Sequence, residues 1–88
     1  MKIKEGFELV NRSGQNVVIK KEKNGMQSGS YIVLTETAAF LWRLLKEKEV
    51  TKTEMLEAVL DNFNISTVLA LGDIDVFIRT MRENGIIE

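Results

Sequence analysis

A strand-forming run passes directly into an apolar helix at Leu34-Thr35-Glu36-Thr37-Ala38-Ala39-Phe40-Leu41-Trp42-Arg43-Leu44-Leu45. Tyr31 to Leu34 is apolar at every position, whereas a strand wetted on one face alternates apolar with polar. Thr35 is suited to cap the helix, because its hydroxyl can accept one of the orphan N–H groups of the first turn. Glu36 then sits where the positive end of the helix dipole favours a carboxylate. The helix, spanning about Glu36 to Lys48, is apolar at 38, 39, 40, 41, 42, 44 and 45. Only a narrow polar strip through Glu36, Arg43 and Glu47 remains, so this helix is expected to be the centre of the core. Trp42, the only tryptophan, lies among Ala38, Leu41 and Leu45 and reads as a core residue rather than a ligand-stacking one.

The elements on either side follow from periodicity and turn chemistry. Phe7 and Leu9 alternate with Glu8, and Asn16 to Lys20 contains the β-branched run Val17-Val18-Ile19. Arg12-Ser13-Gly14-Gln15 between them predicts a short turn in which Gly14 takes positive φ. Lys21 to Ser30 predicts a longer connection to the strand Tyr31 to Leu34, and these links imply an antiparallel meander. After the first helix, Thr51-Lys52-Thr53-Glu54 is a capping box, followed by the apolar stripe Met55, Leu56, Val59, Leu60 and Phe63. Ser66 can cap a third helix with the core stripe Ala70, Leu71, Ile74, Phe77, Ile78 and Met81. It runs to about Asn84, where Gly85 can take the left-handed terminating conformation, and Ile86 and Ile87 return to the core. Three antiparallel strands followed by three helices make a winged-helix-like α+β layout in one domain spanning residues 1–88.

Composition removes most enzyme classes. With neither His nor Cys, the chain has no imidazole base, thiol nucleophile, disulfide framework or usual zinc ligand set. The fragment Gly25-Met26-Gln27-Ser28-Gly29 lacks the lysine and helix of a phosphate loop and reads as plain loop. Catalysis by this chain alone is not expected. No apolar run approaches the ~20 residues that span a bilayer, and the charged start at Lys2, Lys4 and Glu5 lacks a signal core. A cytoplasmic protein is the natural expectation.

The strand, cap and apolar helix resemble the PqqD family of peptide-modification chaperones, also called RiPP recognition elements. The similarity extends to the opening Met1-Lys2-Ile3-Lys4-Glu5-Gly6-Phe7 and the ending Glu83-Asn84-Gly85-Ile86-Ile87-Glu88, nearly the whole chain. The resemblance implies a winged-helix-like fold with no cofactor of its own. It also implies that the leader segment of a precursor peptide binds between the third strand and the third helix. The partner it implies is a modifying enzyme, typically a radical-SAM maturase. Carried onto this chain, the strand side is Tyr31, Ile32, Val33 and Leu34. The loop Gly25 to Ser30 departs from the commoner family pattern, leaving the start of the third strand open.

The residues themselves point the same way. An all-apolar strand at a sheet edge would offer unpaired backbone groups flanked by apolar side chains, and a peptide adding as a further strand would cover it. The alternative is that the first and third helices cover the strand on both sides. On the third helix, at ~100° per residue, Leu69, Gly72, Val76 and Glu83 point away from the core stripe, with Arg79 and Thr80 at the margins. A mid-helix glycine between two outward apolar residues suits close approach of a ligand, so Leu69, Gly72, Val76, Arg79 and Thr80 are candidates for the helix side. Val76 stands where the family often has a polar residue.

DNA binding through the third helix is the competing reading. Residues 1–50 hold nine Lys/Arg against six Asp/Glu, giving +3, and residues 51–88 hold three against seven, giving −4. The third helix carries Arg79 and Arg82 but also Asp73, Asp75 and Glu83, while the basic cluster Lys20-Lys21-Lys23 lies elsewhere. Phosphate neutralisation needs the opposite distribution.

Overall fold

The order of elements in the computed structural model is β1 (Phe7–Arg12), β2 (Gln15–Lys21), β3 (Gln27–Leu34), α1 (Glu36–Glu47), α2 (Lys52–Asn62) and α3 (Thr67–Glu83). The structure describes residues 1–21 and 27–87, and for residues 27–30 the backbone alone. Residues 22–26, with Asn24-Gly25 and Lys23 of the basic cluster, lie outside the described residues, as does Glu88.

The three strands form one antiparallel sheet in the order β1-β2-β3. The β1–β2 turn takes positive φ at both Ser13 (53°) and Gly14 (84°), the requirement of a type I′ hairpin, whose twist matches that of the strands. The Gly14 N–H donates to the Asn11 side-chain oxygen at 3.2 Å. Pairing of β2 with β3 runs from Asn16↔Leu34 to Lys21↔Gln27, with an irregularity between Ile19 and Lys21. β3 therefore begins four residues before the expected Tyr31, and residues 27–29 belong to a strand rather than a plain loop.

Each helix begins on the hydroxyl the sequence provides. Thr35 accepts from the Ala38 N–H at 3.1 Å, and Ser66 from the Leu69 N–H at 3.2 Å. At α2 the capping box is closed both ways: the Glu54 N–H donates to Thr51, and the Thr51 N–H donates to the Glu54 carboxylate. The Thr51 backbone N–H is the main reason the Glu54 carboxyl is held below its ordinary range, with the Thr51 side chain second. A depressed carboxyl pKa adds stability that is present above the ordinary carboxylate range and lost as pH falls through the folded value. Thr51→Ala is expected to cost about 1 kcal/mol in urea unfolding, as cap removals do.

Helix α3 ends in a Schellman motif, with Gly85 at φ 69°, its N–H on the Arg82 carbonyl and the Ile86 N–H on the Met81 carbonyl. This reversal buries Ile86 and Ile87 and lets the Ile86 carbonyl accept from the Lys4 N–H at 2.8 Å. Ile3 and Val50 are buried in the same place. The opening and closing segments thus lie side by side against the helices. The core is centred on α1, where Ala39, Leu41, Trp42 and Leu45 are buried. It continues through Met55, Val59, Ala70, Ile74, Phe77, Ile78 and Met81 and takes Val18 and Leu34 from the sheet. Leu60, expected in the buried stripe of α2, is instead 37% exposed.

Candidate peptide-binding edge

β3 is an edge strand, hydrogen-bonded to β2 on one side and to no other strand among the described residues. Of successive residues in such a strand, one directs its N–H and C=O at the neighbouring strand and the next directs them outward. An edge of this kind carries a row of free donors and acceptors. The strand is not covered on both sides. Leu34 is buried and Ile32 half-buried against the core, whereas Tyr31 is 62% and Val33 49% exposed. The apolar run is therefore a two-faced strand with one face in the core and the other in water.

Helix α1 packs against both β3 and α3. On α3, Leu69 and Val76 are 63% and 51% exposed. From helical geometry they lie within ~20° of each other around the helix, with Thr80 within ~40° of both. Thr80 is half-buried. Gly72 is exposed at the border of this strip, and a Cβ built on it would meet nothing within 4 Å. Asp73, which the sequence pattern marks only by its charge, falls on the same strip and is exposed. Arg79 turns to the opposite flank. It pairs with Glu83 at 4.0 Å and lines a shallow hollow with Met1, Lys52, Asp75, Ile78 and Arg82.

Other hollows lie away from β3, one against Met1 to Glu5 with Glu49, another between the start of β1 and the outer side of α1. A ligand that adds as a strand requires an open edge, not a cavity, and pocket shape is a poor guide to it. Gly72→Ala isolates the glycine's contribution. With open space for the methyl, it is expected to raise stability by about 0.5–1 kcal/mol and the melting temperature by about 2–8 °C. A thermal melt showing no rise would mean that the helix already tolerates glycine there without cost.

The family model described as "Coenzyme PQQ synthesis protein D (PqqD)" matches residues 16–87. The chain belongs to the PqqD family. No curated protein matches it at a significant level. Among solved structures, it is similar to TbiB1 in complex with the TbiA(beta) leader peptide. That match has a TM-score of 0.73 and 19% identity, covering 100% of this chain and 95% of the other. It is also similar to a lasso peptide synthetase B1 complexed with the leader peptide, at a TM-score of 0.70 and 16% identity, over 97% and 93% of the two chains. These likenesses bear out the α+β fold of three antiparallel strands followed by three helices. Among the described residues no helix is long and apolar enough to cross a membrane, and no group of three or more acidic residues could hold a metal ion.

Proposed function

We propose that this PqqD-family protein binds the leader segment of a ribosomally made precursor peptide and holds it for a separate modifying enzyme. The leader adds as a further strand along Tyr31 to Leu34, against the strip of α3 that carries Leu69 and Val76. The observation that carries the reading is the open β3 edge with exposed Tyr31 and Val33 in a PqqD-family chain. Both similar structures hold leader peptides, which supports the same ligand class here. Main-chain pairing supplies affinity and the flanking side chains supply selection.

The protein acts as a binding module, and chemistry belongs to its partner. Family analogy favours a radical-SAM maturase, while similarity to a lasso peptide synthetase component favours a different enzyme class. A pull-down with mass spectrometry of the retained enzyme separates the two. Turnover of a precursor by this protein alone would overturn the module reading.

DNA binding is not favoured. The exposed side of α3 carries Asp73 and Asp75, and Arg79 is paired with Glu83. No salt-dependent gel shift is expected with random duplex DNA.

The deciding experiment is an isotope-labelled titration with a synthetic leader from a precursor encoded beside this protein. Amide shifts are expected along Tyr31–Leu34 and on α3 from Leu69 to Thr80. Shifts confined to α2 or to the β1–β2 turn would rule the site out.

A further inference from the structure

The two faces of the sheet differ in what lies over them. Cross-strand partners share a face, so Leu9, Val18 and Ile32 form one row and Asn11, Asn16 and Leu34 another, both on the helix side. Val18 and Leu34 belong to the common core, and Leu9 and Ile32 pack against it. The alternate rows, Glu8–Ile19–Tyr31 and Val10–Val17–Val33, lie on the outer face. None of their apolar members belongs to that core or packs against it.

Along both outer rows, exposure rises sharply at β3. Ile19 and Val17 are 2% exposed, while Tyr31 and Val33, next in the same rows, are 62% and 49% exposed. The next place in each row lies beyond the β3 edge, where an added strand would put a side chain. This holds for either strand direction, because opposed residues share a face in parallel and antiparallel pairs alike.

Resting on the reading of β3 as the leader-binding edge, we infer that Tyr31 and Val33 are specificity-determining residues. They read outward-facing side chains of the bound peptide, while Ile32, Leu34 and α3 read the inward-facing ones. The ligand is therefore an extended segment with apolar residues at successive positions opposite Tyr31 to Leu34. A peptide apolar only at every second position would leave one of the two faces of β3 uncovered. Aromatic and β-branched cross-strand contacts of this kind are each modest, so losing both changes affinity about 2- to 30-fold.

The test is selection from a phage-displayed library of random twelve-residue peptides. The baits are the wild-type protein and a Tyr31→Thr/Val33→Thr double variant, in which threonine keeps strand propensity. Circular dichroism and a thermal melt establish that the variant is folded, and amide shifts at Tyr31–Leu34 place a selected peptide on the edge. The wild type is expected to enrich peptides apolar at adjacent positions. The variant is expected to keep the inward preference, lose the outward one, and bind a wild-type-selected peptide about 2- to 30-fold more weakly. Enrichment at every second position only, or identical selection by both baits, would overturn the inference while leaving strand addition intact. Failure of the wild type to enrich any peptide on this edge would overturn both.

Discussion

Trp42→Ala is expected to remove about 3–5 kcal/mol of folding stability, as truncation of large core side chains does. Trp42 is 2% exposed and the largest of the fully buried side chains. It lies on the helix that packs against β3, α2 and α3, so the vacated space adjoins several elements at once. A domain of this size has about 5–15 kcal/mol in total, and the variant should sit near the edge of folding. Urea unfolding followed by circular dichroism measures the loss. A variant that kept full stability but lost peptide affinity would make Trp42 a ligand-stacking residue instead. The milder Trp42→Phe keeps much of the apolar volume and should fold, so a damaged Trp42→Ala would not leave the question open.

The helix starts were legible because the interactions that make them are local. Thr35, Thr51 and Ser66 each meet an N–H three residues on, a geometry written in sequence spacing alone. The Schellman end at Gly85 was legible for the same reason. The start of β3 was not. Ser28, Gly29 and Ser30 have little strand propensity, and the strand reaches back past them because Gln27 pairs with Lys21 beyond the irregularity, a non-local cause. Ser13 likewise takes positive φ because the hairpin twist demands it, where side-chain preference would have placed only Gly14 there. Leu60 matched the apolar period of α2, yet periodicity does not say how far a neighbouring element reaches along a helix.

The candidate site was half legible. An all-apolar strand fits a buried position and an uncovered edge equally well, and only strand order distinguishes them. Once β3 is at the edge, the alternation of exposed Tyr31 and Val33 with Ile32 and Leu34 follows from the pleat. On α3 the angular reading grouped Leu69 and Val76 correctly. Arg79 and Thr80, expected at the margins, lie on opposite sides of the exposed surface. Thr80 falls on the Leu69 strip, whereas Arg79 reaches the hollow shared with Lys52 and Asp75. Asp73 lies one turn from both Leu69 and Val76 and is exposed on the same strip.

Val76→Lys and Val76→Glu are each expected to weaken leader binding by at least about tenfold while leaving the fold intact. Val76 is half exposed and outside the core, so neither charge is buried in the free protein. Both replacements have better helix propensity than a β-branched residue, which argues against loss of α3. In the complex, an apolar leader side chain lying on Leu69 and Val76 would desolvate either charge, and pairing of the lysine with Asp73 at i−3 offsets only ~0.2–0.5 kcal/mol, so the two losses are similar in size. The paired substitutions therefore separate two mechanisms. Losses of similar size identify an apolar contact, whereas a loss with one sign and a gain with the other would identify charge complementarity. Val68 supplies the control: it is 79% exposed on the same helix but about 80° around from Val76, and Val68→Lys should bind the leader as the wild type does. Isothermal titration with the synthetic leader measures all three. Unchanged affinity in both Val76 variants would remove α3 from the site and leave the leader held by the β3 edge alone.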